Sequence, residues 1–278
     1  MAKTIGIIGG TGKFGQWFKK FFEEQGHNVL IAGRKTELSP IELAKRADIV
    51  IVSVPIDKTI ETIEKISSYV REDSLLMDFT SLKKEPVKAM LKSKSEVVGC
   101  HPMFGSMISS IKGQAVVLVK ARSEKWFPWI KQLFENSGAK VKISTAEEHD
   151  RMMAVIQCLV HFNSITFCHA LKNMGFDFEQ SLDFTSPVYQ LRLNTIGRIL
   201  NQDAGLYADI AIQNPLSDDV LEKYLESTNE LKDIIAKKQK QEFIDYFNES
   251  ADYMKDFKIK AEQETNRIIK FIAGSKEM

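Results

Sequence analysis

The chain has 278 residues, 44% hydrophobic and 27% charged, with a formal net charge of +1 at pH 7. That length accommodates two domains with a sizeable buried core. Basic and acidic residues alternate along it, so no broad basic face is offered to nucleic acid or an anionic membrane, and the expected partner is a small molecule or another protein.

The three cysteines, Cys100, Cys158 and Cys168, are odd in number and fit no CxxC or zinc spacing, which points to a reducing cytoplasm without disulfides. The opening MAKTIGIIGG has too short an apolar stretch for a secretory signal. The run ADIVIVSVPI, read as the longest apolar one, reaches about half of the roughly twenty residues a membrane span needs, so no membrane segment is expected.

In chain order, TIGIIG, NVLIAG, DIVIVSV, SLLMDF, EVVGC, AVVLV and AKVKIS form short Ile- and Val-rich runs between Lys3 and about Ile143, separated by amphipathic segments. Near-continuous apolar strands between helices predict a parallel sheet covered on both faces, a doubly wound α/β domain. Ser39-Pro40-Ile41-Glu42 supplies an N-cap, a proline at N1 and a glutamate at N3 for one of the intervening helices. After Thr145 the strand pattern stops. Thr145 and Glu148 suggest a capping box opening a largely apolar helix from about Glu147 to Met174. A helix apolar on most sides has to be buried, and a second copy of the chain is one source of cover. Leu221, Tyr224, Leu225, Thr228, Leu231 and Ile235 then recur at helical spacing. The expected organisation is an α/β domain over 1–147 and an all-helical domain over 148–278.

The first strand runs into Gly10-Thr11-Gly12-Lys13-Phe14-Gly15, a GxGxxG pattern between strand and helix. In that context the first glycine permits the turn, the second admits a pyrophosphate and the third lets helix and strand pack closely, which makes this a Rossmann-type dinucleotide-binding domain. An NAD site carries an acid at the end of the second strand to hold the ribose 2′-hydroxyl. Here Gly33 leaves space while Arg34, Lys35 and Thr36 supply charge and a hydroxyl, favouring NADP over NAD. Ser53, Val54 and Pro55 end the third strand at the carboxyl edge, where backbone contacts to the nicotinamide side are expected.

His101, in VVGCHPMFGS, follows the fifth strand at the same edge, and a neutral imidazole there is placed to take a hydroxyl proton as hydride departs. Pro102 stiffens the chain after it, and Cys100 is expected on the opposite face. His149 and Asp150 are read as structural first-turn residues of the long helix, and Cys158, His161, Cys168 and His169 fit no familiar tetrahedral metal set.

GCHPMFGS, MDFTSLKKEPV, EEHDRMMAVIQCLVHF and SPVYQLRLNTIGRILNQDAGLYADI, with the glycine loop, resemble the blocks of the prephenate and arogenate dehydrogenases of tyrosine biosynthesis, in that order. The resemblance implies a Rossmann domain followed by a helical dimerisation domain, a homodimer, and oxidative decarboxylation of a cyclohexadienyl substrate. It places the catalytic base on His101, the serine that supports it on Ser81, the arginine for a substrate carboxylate on Arg198, and a residue near the substrate side chain on His161. Arg198, among aliphatic neighbours in TIGRIL, is expected to be buried and so to need an anionic partner. Because the sequence begins at the first strand, no fused chorismate mutase is expected, and because nothing after the helical pattern suggests one, neither is a regulatory module. An NADP-dependent hydroxyacid dehydrogenase, a deazaflavin-dependent reductase or a non-catalytic dinucleotide sensor would share the cofactor loop, but would need neither His101 nor Arg198.

Overall fold

The seven Ile- and Val-rich runs form one sheet: β1 (Thr4–Ile8), β2 (Asn28–Ala32), β3 (Ile49–Val52), β4 (Leu75–Asp78), β5 (Glu96–Pro102), β6 (Ala115–Arg122) and β7 (Lys140–Ile143), in the order β2-β1-β3-β4-β5-β6-β7. The computed structural model describes residues 1–274 and divides into two units, one of residues 1–157 with 205–216 and one of 158–204 with 217–278.

In the first unit, alternation along each strand sends side chains to two faces. Ile5, Ile7, Ile49, Ile51, Leu75, Met77, Val98 and Cys100 meet α1 (Lys13–Glu24) and α5 (Trp126–Asn136). Ile8, Val50, Val52, Leu76 and Val97 meet α2 (Pro40–Arg46), α3 (Ile56–Ser67) and α4 (Lys84–Met90). Burial on both faces is why the strands lack polar alternation. Ser39 caps α2 in a full capping box with Glu42.

One pairing departs from the expected parallel sheet: β6 runs antiparallel to β5. Residues 103–114 between them contain no helix to make a crossover, so the chain returns in the opposite sense. The α5 crossover then restores a parallel β6–β7 pair.

A continuous helix spans Ala146–Asn173, with α6 (Ala146–Met153), a π-helical segment (Ala154–Leu159) and α7 (Val160–Asn173). Thr145 accepts the Glu148 N–H, but the Glu148 carboxylate bonds Ser144 rather than closing the expected box. By length and composition this helix is apolar enough to cross a bilayer, which corrects the expectation that no segment approaches that length. Only 11% of its most apolar stretch is buried, so the expected burial is not met within one chain.

The helical unit continues through α8 (Phe178–Ser181), α9 (Pro187–Leu200), α11 (Ser217–Ala236), α12 (Lys240–Met254) and α13 (Phe257–Gly274), while α10 (Ala204–Ile212) belongs almost wholly to the first unit. There Ile210 packs with Ile56 and Leu82, and Asn214 donates to the Asp150 carbonyl at 2.8 Å.

Candidate active site

The glycine loop joins β1 to α1. Gly9, at φ +87°, lies so close to β3 that a Cβ would fall 2.1 Å from the Ser53 carbonyl oxygen, and only glycine fits. At Gly15 a Cβ would sit 2.6 Å from the Gly9 carbonyl oxygen and 2.7 Å from the Gly10 Cα, so helix and loop pack backbone to backbone. Gly12 is different: it is exposed, and a Cβ there would meet nothing nearer than 3.4 Å. Gly12 also caps α1 with no side-chain hydrogen bond, and the first turn carries no acid. The leading N–H groups of a 12-residue helix therefore face an open cradle, which suits a pyrophosphate.

Thr11 and Lys13 are exposed beside this cradle. Phe14 is half-buried in an aromatic cluster, with ring centroids 5.0 Å from Phe18 and 6.0 Å from Phe104. Trp17 stacks its edge on Phe104 and donates to the Ile108 carbonyl at 2.7 Å, so the MFGS turn after His101 is held against α1. At the end of β2, Arg34 and Lys35 are exposed. The Thr36 hydroxyl accepts from the Gly33 N–H at 2.9 Å and lies 2.8 Å from the Leu38 carbonyl oxygen. It shapes its own loop, which corrects the expectation that it is offered to a 2′-phosphate. Ser53 and Val54 are half-buried and Pro55 exposed, beside Gly9 at the β1/β3 switch point.

His101 lies within β5 rather than after it. Because β4 pairs only with Glu96–Gly99, residues 100–102 run on past the end of β4 at the carboxyl edge. Cys100 turns into the α1/α5 face, and burial pushes its thiol well up. His101, on the other face, meets α6: its Nδ1 lies 2.9 Å from His149 Nε2, and His149 Nδ1 lies 2.8 Å from Asp150 Oδ1. The Asp150 carboxylate also accepts the backbone N–H of Lys83 at 2.7 Å and of Lys84 at 2.9 Å.

Burial, reinforced by His149 and Lys83, holds His101 well below the usual histidine range. Burial also lowers His149, outweighing its bond to Asp150. For Asp150 burial alone would raise the pKa, but the donors on its oxygens win and hold it down. At neutral pH the line is therefore two neutral imidazoles ending on a carboxylate.

Ser81, half-buried, lies in the short segment between β4 and α4. That segment is tied on both sides of it. The Thr80 N–H donates to Asp78 Oδ2 at 3.0 Å, and Lys83 pairs with the same carboxylate in full burial. The Lys83 stem fills the space over Gly99, where a Cβ would lie 3.1 Å from its Cδ.

In the helical unit, His161 is half-buried on α7, and burial lowers its pKa. Arg198 on α9 is exposed, correcting the expectation of burial: Leu193 and Ile196 mark the packed face, and Arg198 lies two residues beyond Ile196, about 200° around the helix. His149 and Asp150, read from sequence as structural, stand in a hydrogen-bonded line with His101, a contact that sequence reasoning did not foresee.

Residues 24–143 match the family model described as the prephenate dehydrogenase nucleotide-binding domain, and residues 145–249 match the prephenate dehydrogenase dimerization domain. The chain is 37% identical over 268 residues to the probable arogenate/prephenate dehydrogenase of Methanocaldococcus jannaschii, covering 89% of this chain and 60% of that protein. It is 35% identical over 266 residues to the T-protein of Haemophilus influenzae, covering 95% of this chain and 71% of that one. Among solved structures, the prephenate dehydrogenase from A. aeolicus in complex with hydroxyphenyl propionate and NAD+ aligns with a TM-score of 0.75 at 22% identity, over 92% of this chain and 99% of that one.

Proposed function

The chain belongs to the prephenate dehydrogenase family, and from that premise we propose that it oxidatively decarboxylates prephenate to 4-hydroxyphenylpyruvate, with NADP as the favoured acceptor. The observation that carries this reading is the neutral His101 at the carboxyl edge of the sheet, its Nδ1 engaged by His149 and its Nε2 making no hydrogen bond among the described residues. The first unit is an NAD(P)-binding domain whose open cradle at Gly12 accommodates the pyrophosphate.

A bound nicotinamide would supply the acceptor for the hydride that leaves the ring carbon bearing the hydroxyl. His101 Nε2 takes the hydroxyl proton as the carbonyl forms. The bond between ring and carboxylate then breaks, carbon dioxide leaves, and its electron pair aromatises the ring. The phenolate oxygen takes the proton back from His101, so the base ends as it began. Ser81 orients the substrate hydroxyl toward His101, and the tethers on Thr80 and Lys83 fix its segment. To Arg198 we assign the anchoring of a substrate carboxylate, and to His161 a place near the substrate side chain. Arg34 and Lys35, with Gly33 where an NAD site carries an acid, support NADP.

The archaeal relative's name covers arogenate as well, and that substrate is the second reading. Steady-state rates with prephenate and arogenate, each with NADP and NAD, test the proposal through reduced-nicotinamide absorbance and carbon dioxide release. Expected is turnover fastest with prephenate and NADP; no turnover of either substrate overturns it.

The match to a dimerization domain and the exposed apolar residues Val155, Ile156, Val160 and Ile165 along one helix support a homodimer. Sedimentation of the purified chain as a monomer at micromolar concentration would refute this. The three free thiols suit the cytoplasm.

A further inference from the structure

We propose that His149 and Asp150 are positioning residues for His101: the Asp150 carboxylate fixes the proton on His149 Nδ1, so that His149 Nε2 accepts the Nδ1 proton of His101 and His101 Nε2 stays bare for the substrate hydroxyl. This rests on the reading of His101 as the base and adds what keeps that base in its reactive form.

The assignment follows from what each atom is able to do. An ionised carboxylate only accepts, so the 2.8 Å contact requires His149 Nδ1 to donate. A neutral imidazole has one N–H, so His149 Nε2 is left as an acceptor, and the 2.9 Å contact makes His101 Nδ1 the donor. Neutral His101 then keeps its lone pair on Nε2. Without this line the ring would take either tautomer, and the one protonated on Nε2 has nothing with which to accept a substrate proton.

Asp150 is itself immobilised. Its two oxygens hold the N–H groups of Lys83 and Lys84 at the start of α4, and Asn214 holds its backbone carbonyl. A carboxylate that holds three N–H groups, on a residue whose backbone carbonyl is also bonded, fixes ring orientation as well as proton position. When His101 takes the substrate proton, the cation forms beside His149, with Asp150 behind it and with the Lys83–Asp78 pair on the β4 side. The same carboxylate ties the segment carrying Ser81 to the helix carrying His149, so base and serine share one frame.

The test combines three variants with a measurement that needs no substrate. Asp150→Ala removes the acceptor from His149 Nδ1, so nothing fixes the proton there and the His101 ring is released to take either tautomer. Nitrogen-15 NMR of the His101 ring in the unliganded protein is expected to show Nδ1–H in the wild type and a substantial Nε2–H population in Asp150→Ala. Turnover in that variant is expected to fall on the order of 10–100-fold, with KM and NADP affinity within a few-fold. His149→Gln places an amide oxygen close to the Nε2 position and is expected to retain at least about tenfold more turnover than His149→Leu. An unchanged His101 tautomer in Asp150→Ala, a turnover within about threefold of wild type in Asp150→Ala and His149→Leu, or no advantage of glutamine over leucine overturns the proposal. Failure of the wild type to oxidise prephenate or arogenate would remove the function proposed above while leaving the tautomer result to stand or fall alone.

Discussion

Lys83 Nζ is paired with the Asp78 carboxylate, and neither side chain is exposed to solvent at all. Two opposite charges removed from water are tolerable only together, and losing one partner leaves the other uncompensated. Lys83→Met is therefore expected to destabilise the protein by about 3–5 kcal/mol in urea unfolding. Asp78→Asn combined with Lys83→Met, which removes both charges and keeps an acceptor for the Thr80 N–H, is expected to recover more than half of that loss. A double variant no more stable than the single one would mean that the pair does more than balance charge.

The base itself is tested by His101→Asn. An amide there retains polarity near the ring position but accepts a proton poorly, so NADP binding is expected to stay within a few-fold while turnover falls on the order of 10²–10⁴-fold. Near wild-type turnover in a folded, cofactor-binding variant would dismiss His101 as the base.

The lowered pKa values of His101 and His149 also set a pH dependence. Below about pH 6.5 the unfolded chain binds protons at both rings while the folded protein does not, so stability falls as pH falls from that point and is fully present above it. Asp150, with its pKa held down, adds a loss only below about pH 4. For activity, the acid limb of kcat/KM is expected below pH 6.5, because neutral His101 persists there. An acid limb above pH 7 would contradict the burial of the base. Urea midpoints and rates taken from pH 5 to pH 8 measure both effects.

The strands, the glycine loop and the position of His101 at the sheet edge were legible because each is local: an apolar run, a turn that only glycine permits, a strand end. The antiparallel β6 was legible only in what its connection lacks, a helix between 103 and 114. The contact of His149 with His101 was not legible, since the two lie 48 positions apart and meet only once β5 and α6 are placed. The one available sign was a His-Asp pair opening an otherwise apolar helix, and that also describes ordinary first-turn residues. Arg198 was misread because aliphatic neighbours in sequence are not neighbours on a helix face.

Gly12 and Gly15 separate cofactor room from packing. A Cβ at Gly15 collides with backbone at 2.6 Å and 2.7 Å, so Gly15→Ala is expected to lower stability measurably along with cofactor affinity. A Cβ at Gly12 meets nothing nearer than 3.4 Å, so Gly12→Ala is expected to melt with the wild type yet bind NADP at least about tenfold more weakly, the methyl taking the space of the pyrophosphate. Equal melting temperatures for both variants would refute the division of roles.

Arg34 is the residue on which the proposed preference for NADP is tested. It is exposed at the end of β2, beside Gly33, whose Cβ would fall 2.8 Å from the Thr11 hydroxyl, so a larger residue there would have to displace the Thr11 side chain. With Thr36 turned onto its own backbone, the charge for a 2′-phosphate would rest on Arg34 and Lys35. A charge-assisted contact is worth about 1.5–3 kcal/mol, so Arg34→Ala is expected to weaken NADP by roughly ten- to a hundredfold. NAD, which has no 2′-phosphate, is expected to bind the variant within about twofold of the wild type, and the NADP loss is expected to shrink as salt is raised. Titration of both dinucleotides by intrinsic fluorescence measures this. Equal losses for the two would return Arg34 to the role of a solvated surface charge and leave the loop without a preference.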